Sequence, residues 1–262
     1  MPELHVIVYL LPIVFVAGFI DSVAGGGGLI TVPAYLIAGF PPATLLGTNK
    51  CVSTMGTVVS ASKYIHSGRI LWPVAIIGIP CSLIGSVWGA HTVALLDASI
   101  VRKIILVALP LAAAITLIPK PHGHIETDIG WRSLRLWILI PIISFGLGWY
   151  DGFFGPGTGS LLIMLMYGIA GMSLIHAAAV GRLFNLVSNA SALFTFMWHG
   201  QVWYKAALPL GIAGIAGHWC GSHLAIKRGH GMVRGMLVVT CGLLFAYLIW
   251  QQFKMPISPT NQ

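Results

Sequence analysis

Two aspartates stand inside apolar sequence, Asp21 in GFIDSVAGGGG and Asp151 in GWYDGFFGPGTG, each running into a glycine cluster. Further along, each is followed within an apolar segment by a cation: Lys50 in GTNKCVST and Arg182 in GRLFNLVSN. Ionisable groups in such surroundings are costly and mark substrate paths, proton relays or ion pairs. Glycine clusters let the backbone unwind and approach a ligand, because no Cβ intervenes. A short helix that opens at such a cluster presents free N–H groups and a positive dipole end, which suits an anion. The first turns at Gly28-Leu29-Ile30 and Gly159-Ser160-Leu161, with Gly27 and Gly157 beside them, are therefore read as two halves of an oxyanion cradle. Lys50 and Arg182 supply positive charge, and Thr48, Asn49, Ser53, Asn185 and Asn189 offer neutral hydrogen bonds. Ser53 is three residues from Lys50, and Asn185 and Asn189 are three and seven from Arg182, so each set shares a helical face.

A purely structural reading pairs Asp21 with Lys50 and Asp151 with Arg182 as ion pairs that brace the bundle. Insertion scales put four such charges at a cost on the order of 12 kcal/mol, about 3 each. That is comparable with the stability of a whole domain, so bracing alone is a weak reason for having them twice. Both roles coexist if the aspartates exchange partners or carry coupling protons.

The elements that hold these residues follow from composition. The chain has 262 residues, 57% hydrophobic and 8% charged, against about 25% charged in soluble domains. Ten apolar stretches are legible: Leu4 to Ile20, Gly28 to Phe40, Thr44 to Ala61, Ile70 to Ala90, Ile100 to Ile118, Leu134 to Tyr150, Ser160 to Ala170, Leu174 to Trp198, Ala206 to Ala225 and Met232 to Trp250. Several reach the roughly 20 residues of a spanning helix. The expectation is an all-α polytopic membrane protein forming a single membrane domain over 1–262. The net charge of +8 does not point to nucleic acid, since Lys and Arg sit at segment ends without a cluster. The N-terminus lacks the basic region of a cleaved signal and is read as retained structure.

Sliding the chain on itself matches Gly18, Asp21, Gly25 and Gly27 with Gly148, Asp151, Gly155 and Gly157 at an offset of 130 (151 − 21). Lys50, Ser53 and Thr57 then match Arg182, Asn185 and Asn189 at 132, as does the turn at Gly68 with that at Gly200. Pro73, Gly78 and Gly85-Ser86 align with Pro209, Gly214 and Gly221-Ser222 at 136, and Val101-Arg102 with Val233-Arg234 at 132. The expected organisation is repeat 1 over about 5–118, a polar loop at 119–132, and repeat 2 over about 133–251. Duplication with the site between halves is a recurring transporter plan. Gly28 to Phe40, about 20 Å as a helix, is too short to cross a core of about 30 Å alone. Each half is read as a Gly-broken re-entrant hairpin or helix pair plus three spans, an odd number that makes the halves inverted. Lys63, Arg69, Lys120, Arg132, Arg135, Lys227, Arg228 and Arg234 fall on one side; Arg102, Lys103, Lys205 and Lys254 fall on the other. The first side is expected to be cytoplasmic and both termini outside.

Other features read more plainly. Cys51, Cys81, Cys220 and Cys241 lie singly in apolar segments, as reduced packing residues do. His218, Cys220 and His223 do not share a helical face and make a poor metal site. His122 and His124 read as solvated loop residues, and His176 as a packed interfacial residue that could titrate. Gly85xxxGly89 and Gly217xxxGly221 suit helix packing or a homodimer face. Trp72, Trp131, Trp198 and Trp203 suit interface anchors. No Walker A motif is present, so ATP is not the expected driver, and no cofactor or metal is expected.

The stretch from GFIDSVAGGGGLITVPAYL through GTNKCVSTMGTVVSASKYIHSGRI, with YDGFFGPGTGSLL and GRLFNLVSNASALF as a second copy, resembles the TauE/SafE sulfite exporter family. The resemblance covers nearly the whole chain. It implies a two-repeat transporter in the bacterial inner membrane that moves sulfite, sulfonates or organic anions, usually outward and driven by an ion gradient. The first half carries the family pattern complete in Gly25 to Gly28, Pro33, Gly47 and Thr48. The second departs, with Gly155-Pro156-Gly157-Thr158-Gly159 for the glycine run and Gly181-Arg182 where Gly-Thr is common. The expected function is a secondary carrier of small oxyanions, in which Asp21 and Asp151 either hold the cations in place or carry coupling protons. A passive anion channel and an intramembrane enzyme are the alternatives. The paired copies of one aspartate argue against distinct acid and base roles, and the cations argue against metal-ion transport.

Overall fold

The computed structural model describes residues 4–116 and 129–228. The apolar run Met232 to Trp250, most of the central connection, and Lys120, His122, His124, Arg234, Cys241 and Lys254 lie outside the described residues. Within them the fold is entirely helical: α1 (Leu4–Ala24), α2 (Gly28–Ile37), α3 (Pro42–His66), α4 (Trp72–Ala94), α5 (Ala98–Thr116), α6 (Leu134–Phe153), α7 (Thr158–Gly168), α8 (Leu174–Trp198) and α9 (Tyr204–Arg228).

Local chemistry sets these boundaries. α3 and α4 begin with proline in the first turn, where a missing N–H costs nothing. Ser173 caps α8 by accepting from the His176 N–H. α1 ends where Gly25 and Gly26 turn to positive φ, and α6 ends at Gly155 and Gly157, which do the same. The order long, short, long, long recurs, with 21, 10, 25 and 23 residues in α1 to α4 and 20, 11, 25 and 25 in α6 to α9.

Among the described residues, three helices are long and apolar enough to cross a membrane: His5–Ala24, Trp72–Ala94 and Leu134–Phe153. Their outer faces carry exposed Ile13, Trp72, Ile84, Trp88, Ile142 and Trp149, a belt suited to lipid and not to water. α3 and α8, at 25 residues, would span about 37 Å. They fall short of the others in apolarity because they carry the polar residues of the interior. α2 and α7 span about 15 Å and cannot cross alone.

Packing interlocks the two parts of the chain. The most extensive helix pairs are α4 with α6 and α1 with α9, so each broken helix lies along a helix from the other part. Small residues bring the backbones together. A Cβ on Gly85 would come 2.3 Å from the Phe145 carbonyl oxygen, and one on Gly217 would come 2.1 Å from that of Phe15. Gly89 meets Trp149 and Gly221 meets Phe19 in the same way. Both GxxxG faces are thus filled within the chain. These contacts also correct the register: Gly217 takes the place of Gly85, an offset of 132 (217 − 85) and not 136. The proline and Gly-Ser matches that suggested 136 do not superpose in contact.

Two hydrophobic clusters sandwich the polar centre. Val14 of α1, Phe154 and Ala192 of α8 belong to one, while Val23 of α1, Ile143 of α6 and Phe184 of α8 belong to the other. The residues between them along α1, α6 and α8 include Asp21, Asp151, Ser188 and Asn189.

The breaks themselves touch. A Cβ on Gly25 would lie 2.2 Å from Gly159 C and Ser160 N, and Gly25 has φ +77°. Gly39 has φ +82° with nothing near its missing Cβ. Gly39→Ala should therefore cost about 1–2 kcal/mol, the left-handed penalty alone. Gly25→Ala adds a backbone collision and should cost several times as much, read as a far larger drop in unfolding temperature in detergent.

Candidate functional site

Asp21 lies in the last turn of α1, and its Oδ1 accepts the Gly27 N–H at 2.9 Å. The carboxylate therefore occupies the N-terminal end of α2 itself, where the helix dipole favours negative charge. Arg182 on α8 donates from Nη1 to Asp21 Oδ2 at 2.7 Å, and its Nη2 donates to the Asp21 carbonyl. Nη1 also reaches Asn185 Oδ1 at 3.4 Å. Arg182 Nε is buried without a partner.

The second pair is Lys50 on α3 with Asp151 on α6, Nζ to Oδ1 at 2.9 Å. Asn189 Oδ1 accepts from the same ammonium at 3.0 Å, and Ser188 Oγ donates to Asp151 Oδ2 at 2.5 Å. Asn189 in turn donates to the Asn185 carbonyl. Glycine at 155 makes room, since a Cβ there would lie 2.8 Å from Lys50 Nζ.

The structure thus brings Lys50, Arg182, Asp21, Asp151, Asn185 and Asn189 into one buried polar region, and it overturns the pairing expected from sequence. Asp21 binds Arg182 and Asp151 binds Lys50, each acid holding the base from the other part of the chain. The physical reason is the interlocked packing, which lays α1 along α9 near α8 and sets α6 against α4 and α8. The remaining expected residues divide. Asn49 is turned to α2, where its Oδ1 accepts from Thr31 Oγ1 at 2.6 Å. Thr48 Oγ1 accepts from the Trp203 N–H. Ser53 and Gly28 line a small cavity with Asp21, Gly27, Thr31 and His218.

The open oxyanion cradle is not present in this form. Leu29 and Ile30 donate to the Gly26 and Gly27 carbonyls, and Leu161 to Gly157. The start of α7 is covered by the first break, with Gly25 against Gly159 and Ser160 Oγ donating to the Ala24 carbonyl. Gly28 faces Pro156. The glycines serve close approach of two backbones, and the anion at the start of α2 is the Asp21 carboxylate.

Sequence reasoning missed His218 as a member of this site. Its Nε2 is 3.6 Å from Asp21 Oδ2, and its Nδ1 is 3.1 Å from Ser60 Oγ. His223, weighed with it as a metal ligand, instead stacks on Trp219. The two aspartates also differ in access: the Asp21 side chain is 14% exposed and that of Asp151 is 2%. The cavity beside Asp21 is about 20 Å³, room for about one water.

Helices of membrane-spanning length with an apolar outer belt and paired charges at two broken helices define a polytopic membrane protein of the transporter class. The sulfite exporter TauE/SafE profile matches residues 10–248, and the chain belongs to that family. It is similar to a probable membrane transporter protein of Haemophilus influenzae, 35% identical over 245 residues, 91% of this chain and 92% of that one. It is also similar to the probable membrane transporter protein ORF9 of a Sinorhizobium species, at 34% identity over 90% of this chain and 89% of that one. The probable membrane transporter protein YfcA of Escherichia coli K12 is 32% identical over 94% of this chain and 90% of its own length. No solved structure matches the chain.

Removing one partner of a buried ion pair leaves an unpaired charge and costs about 3–5 kcal/mol. Lys50→Met should lower thermal stability by that order, and Lys50→Met with Asp151→Leu should recover most of it. In double-mutant cycles the coupling of Lys50 to Asp151 should exceed its coupling to Asp21; the reverse order would refute the exchanged pairing.

Proposed function

We propose that the protein is a secondary transporter, and an exporter in direction, for small sulfur-containing or organic oxyanions such as sulfite and sulfonates. It works by alternating access between two inverted halves. The observation that carries this reading is the exchange of ion pairs: both buried cations are held by aspartates across the line between the halves, next to the two helix breaks. A relative movement of the halves pulls each cation from its acid and makes it available to an anion. Arg182 and Lys50 are the anion's partners, Asn185 and Asn189 hydrogen-bond beside them, and Ser53, Gly27 and Gly28 line the cavity next to Asp21.

The family's name, sulfite exporter, supports an anionic substrate, and the relatives' names support membrane transport without naming one. The aspartates are partners of the resting state that the anion replaces, which is why the site holds no net charge before substrate arrives.

A charged hydrogen bond contributes about 1.5–3 kcal/mol. Arg182→Gln and Lys50→Gln should therefore raise the half-saturating anion concentration roughly 10- to 100-fold. The measurement is sulfite, sulfoacetate and carboxylate flux in proteoliposomes. Undiminished flux in both variants would reject the reading, and flux that grows linearly with concentration, without counterflow, would favour a channel.

A further inference from the structure

The two ion pairs are built differently, and the difference lies in one ring. At the contact register of 132, His218 takes the place of Ser86, and Gly56 takes the place of Ser188. Around Asp151 the pair is sealed by hydroxyls: Ser188 Oγ donates to Asp151, and Ser86 Oγ donates to the Ser188 carbonyl at 2.5 Å. Around Asp21 the serine is absent, and its place is filled by the imidazole. A Cβ on Gly56 would lie 2.3 Å from His218 Cδ2, and one on Gly18 would lie 3.0 Å from it. Glycine at both positions is what admits the ring.

The hydrogen count at His218 leaves a place for a proton. The Ser60 hydroxyl has one hydrogen and two acceptors in reach, the Thr57 carbonyl at 3.3 Å and His218 Nδ1 at 3.1 Å. When it donates to Thr57, Nδ1 must carry the hydrogen and donate to Ser60. Nε2 then faces Asp21 Oδ2 as one acceptor before another, at 3.6 Å. When Ser60 donates to Nδ1, Nε2 carries the hydrogen towards Asp21. Either arrangement is one proton short of imidazolium beside a carboxylate.

The charged neighbours are few. α1 contributes Asp21, and Arg182 of α8 lies behind it on the same carboxylate oxygen. α3 contributes Ser60, while its Lys63 sits over the Trp219 ring on the outer face, 3.9 Å from the centroid. Lys50 is turned to Asp151. The His218 ring and Asp21 line the same water-sized cavity, which is a route for a proton from water.

We propose that His218 and Asp21 together form the proton-binding site of the transport cycle, and that a proton taken up there frees Arg182 for a monovalent oxyanion. This deepens the transport reading and rests on it. The Asp21–Arg182 pair sums to zero charge; one added proton on the His218–Asp21 couple leaves one net positive charge, which one singly charged anion balances. The Lys50–Asp151 pair has no histidine beside it and is opened by the movement of the halves alone. The proton comes from water and returns to it, and no covalent bond other than N–H or O–H changes.

Two measurements test this, on the full chain in phosphatidylglycerol–phosphatidylcholine vesicles. With methanesulfonate, a singly charged oxyanion with no proton of its own near neutral pH, as probe and a pH dye inside, the wild type should move protons together with the anion. His218→Gln should abolish the proton movement that accompanies the anion. The double variant Gly56→Ser with His218→Ser, which installs around Asp21 the hydroxyls found around Asp151, should do the same and guards against a packing defect. Proton movement per anion equal to wild type in both variants overturns the proposal. Independently of any flux, NMR of the protein labelled at histidine should show an imidazole titration that disappears in His218→Gln and shifts by more than about one pH unit in Asp21→Asn. A His218 signal that ignores Asp21 also overturns it. Absence of anion flux from every preparation would instead reject the transport reading, with the NMR result still deciding the proton site.

Discussion

The fold depends on an exchange of charge: each aspartate at a helix break is neutralised by a cation from the other part of the chain. Neither pair can form within one half, so the buried charges are satisfied only when the halves are fully interlocked. In low dielectric an unpaired charge is far costlier than in water, and this makes the correct docking of α1 against α8 and α9, and of α6 against α4 and α8, a condition for burying any of the four. The glycine faces follow from the same requirement. Backbones must come close enough for Arg182 to reach both a carboxylate oxygen and the main-chain carbonyl of Asp21.

The two pairs are copies in sequence but not in chemistry. Lys50 is a compact donor, held by Asp151 and Asn189 in a region sealed from water. Arg182 is a planar fork with an uncommitted Nε, and its partner Asp21 keeps some access to water. Guanidinium matches an oxyanion's geometry better than ammonium does. One pair is thus set away from water while the other lies beside a small cavity.

Much of this was legible in the chain. The glycine runs predicted the breaks, and the short stretch Gly28 to Phe40 became a helix ending at Ile37. The paired Asp, Lys and Arg marked the interior. The partners were not legible, because residues 161 positions apart meet only through the packing of α1 on α9, which no local pattern encodes. The first-turn N–H groups looked free for a ligand because spacing gives no account of what the other backbone covers. His218 was obscured for a more specific reason. The prolines and Gly-Ser pairs of α4 and α9 suggested an offset of 136, which puts His218 opposite Ser82. The contact register of 132 puts it opposite Ser86, next to the acid, with Gly56 as the signal that a bulky ring needed space.

The interlocked arrangement has a consequence for biogenesis. The ribosome delivers α1 to α5 first, with an aspartate and a lysine whose partners are still to be translated, Arg182 being 161 residues after Asp21. Early insertion rests on the apolar runs of this part, those of α1 and α4 among them, and Asp21 and Lys50 enter the bilayer before the partners they hold in the folded protein. Assembly is completed from the carboxyl side, when α6 and α8 arrive.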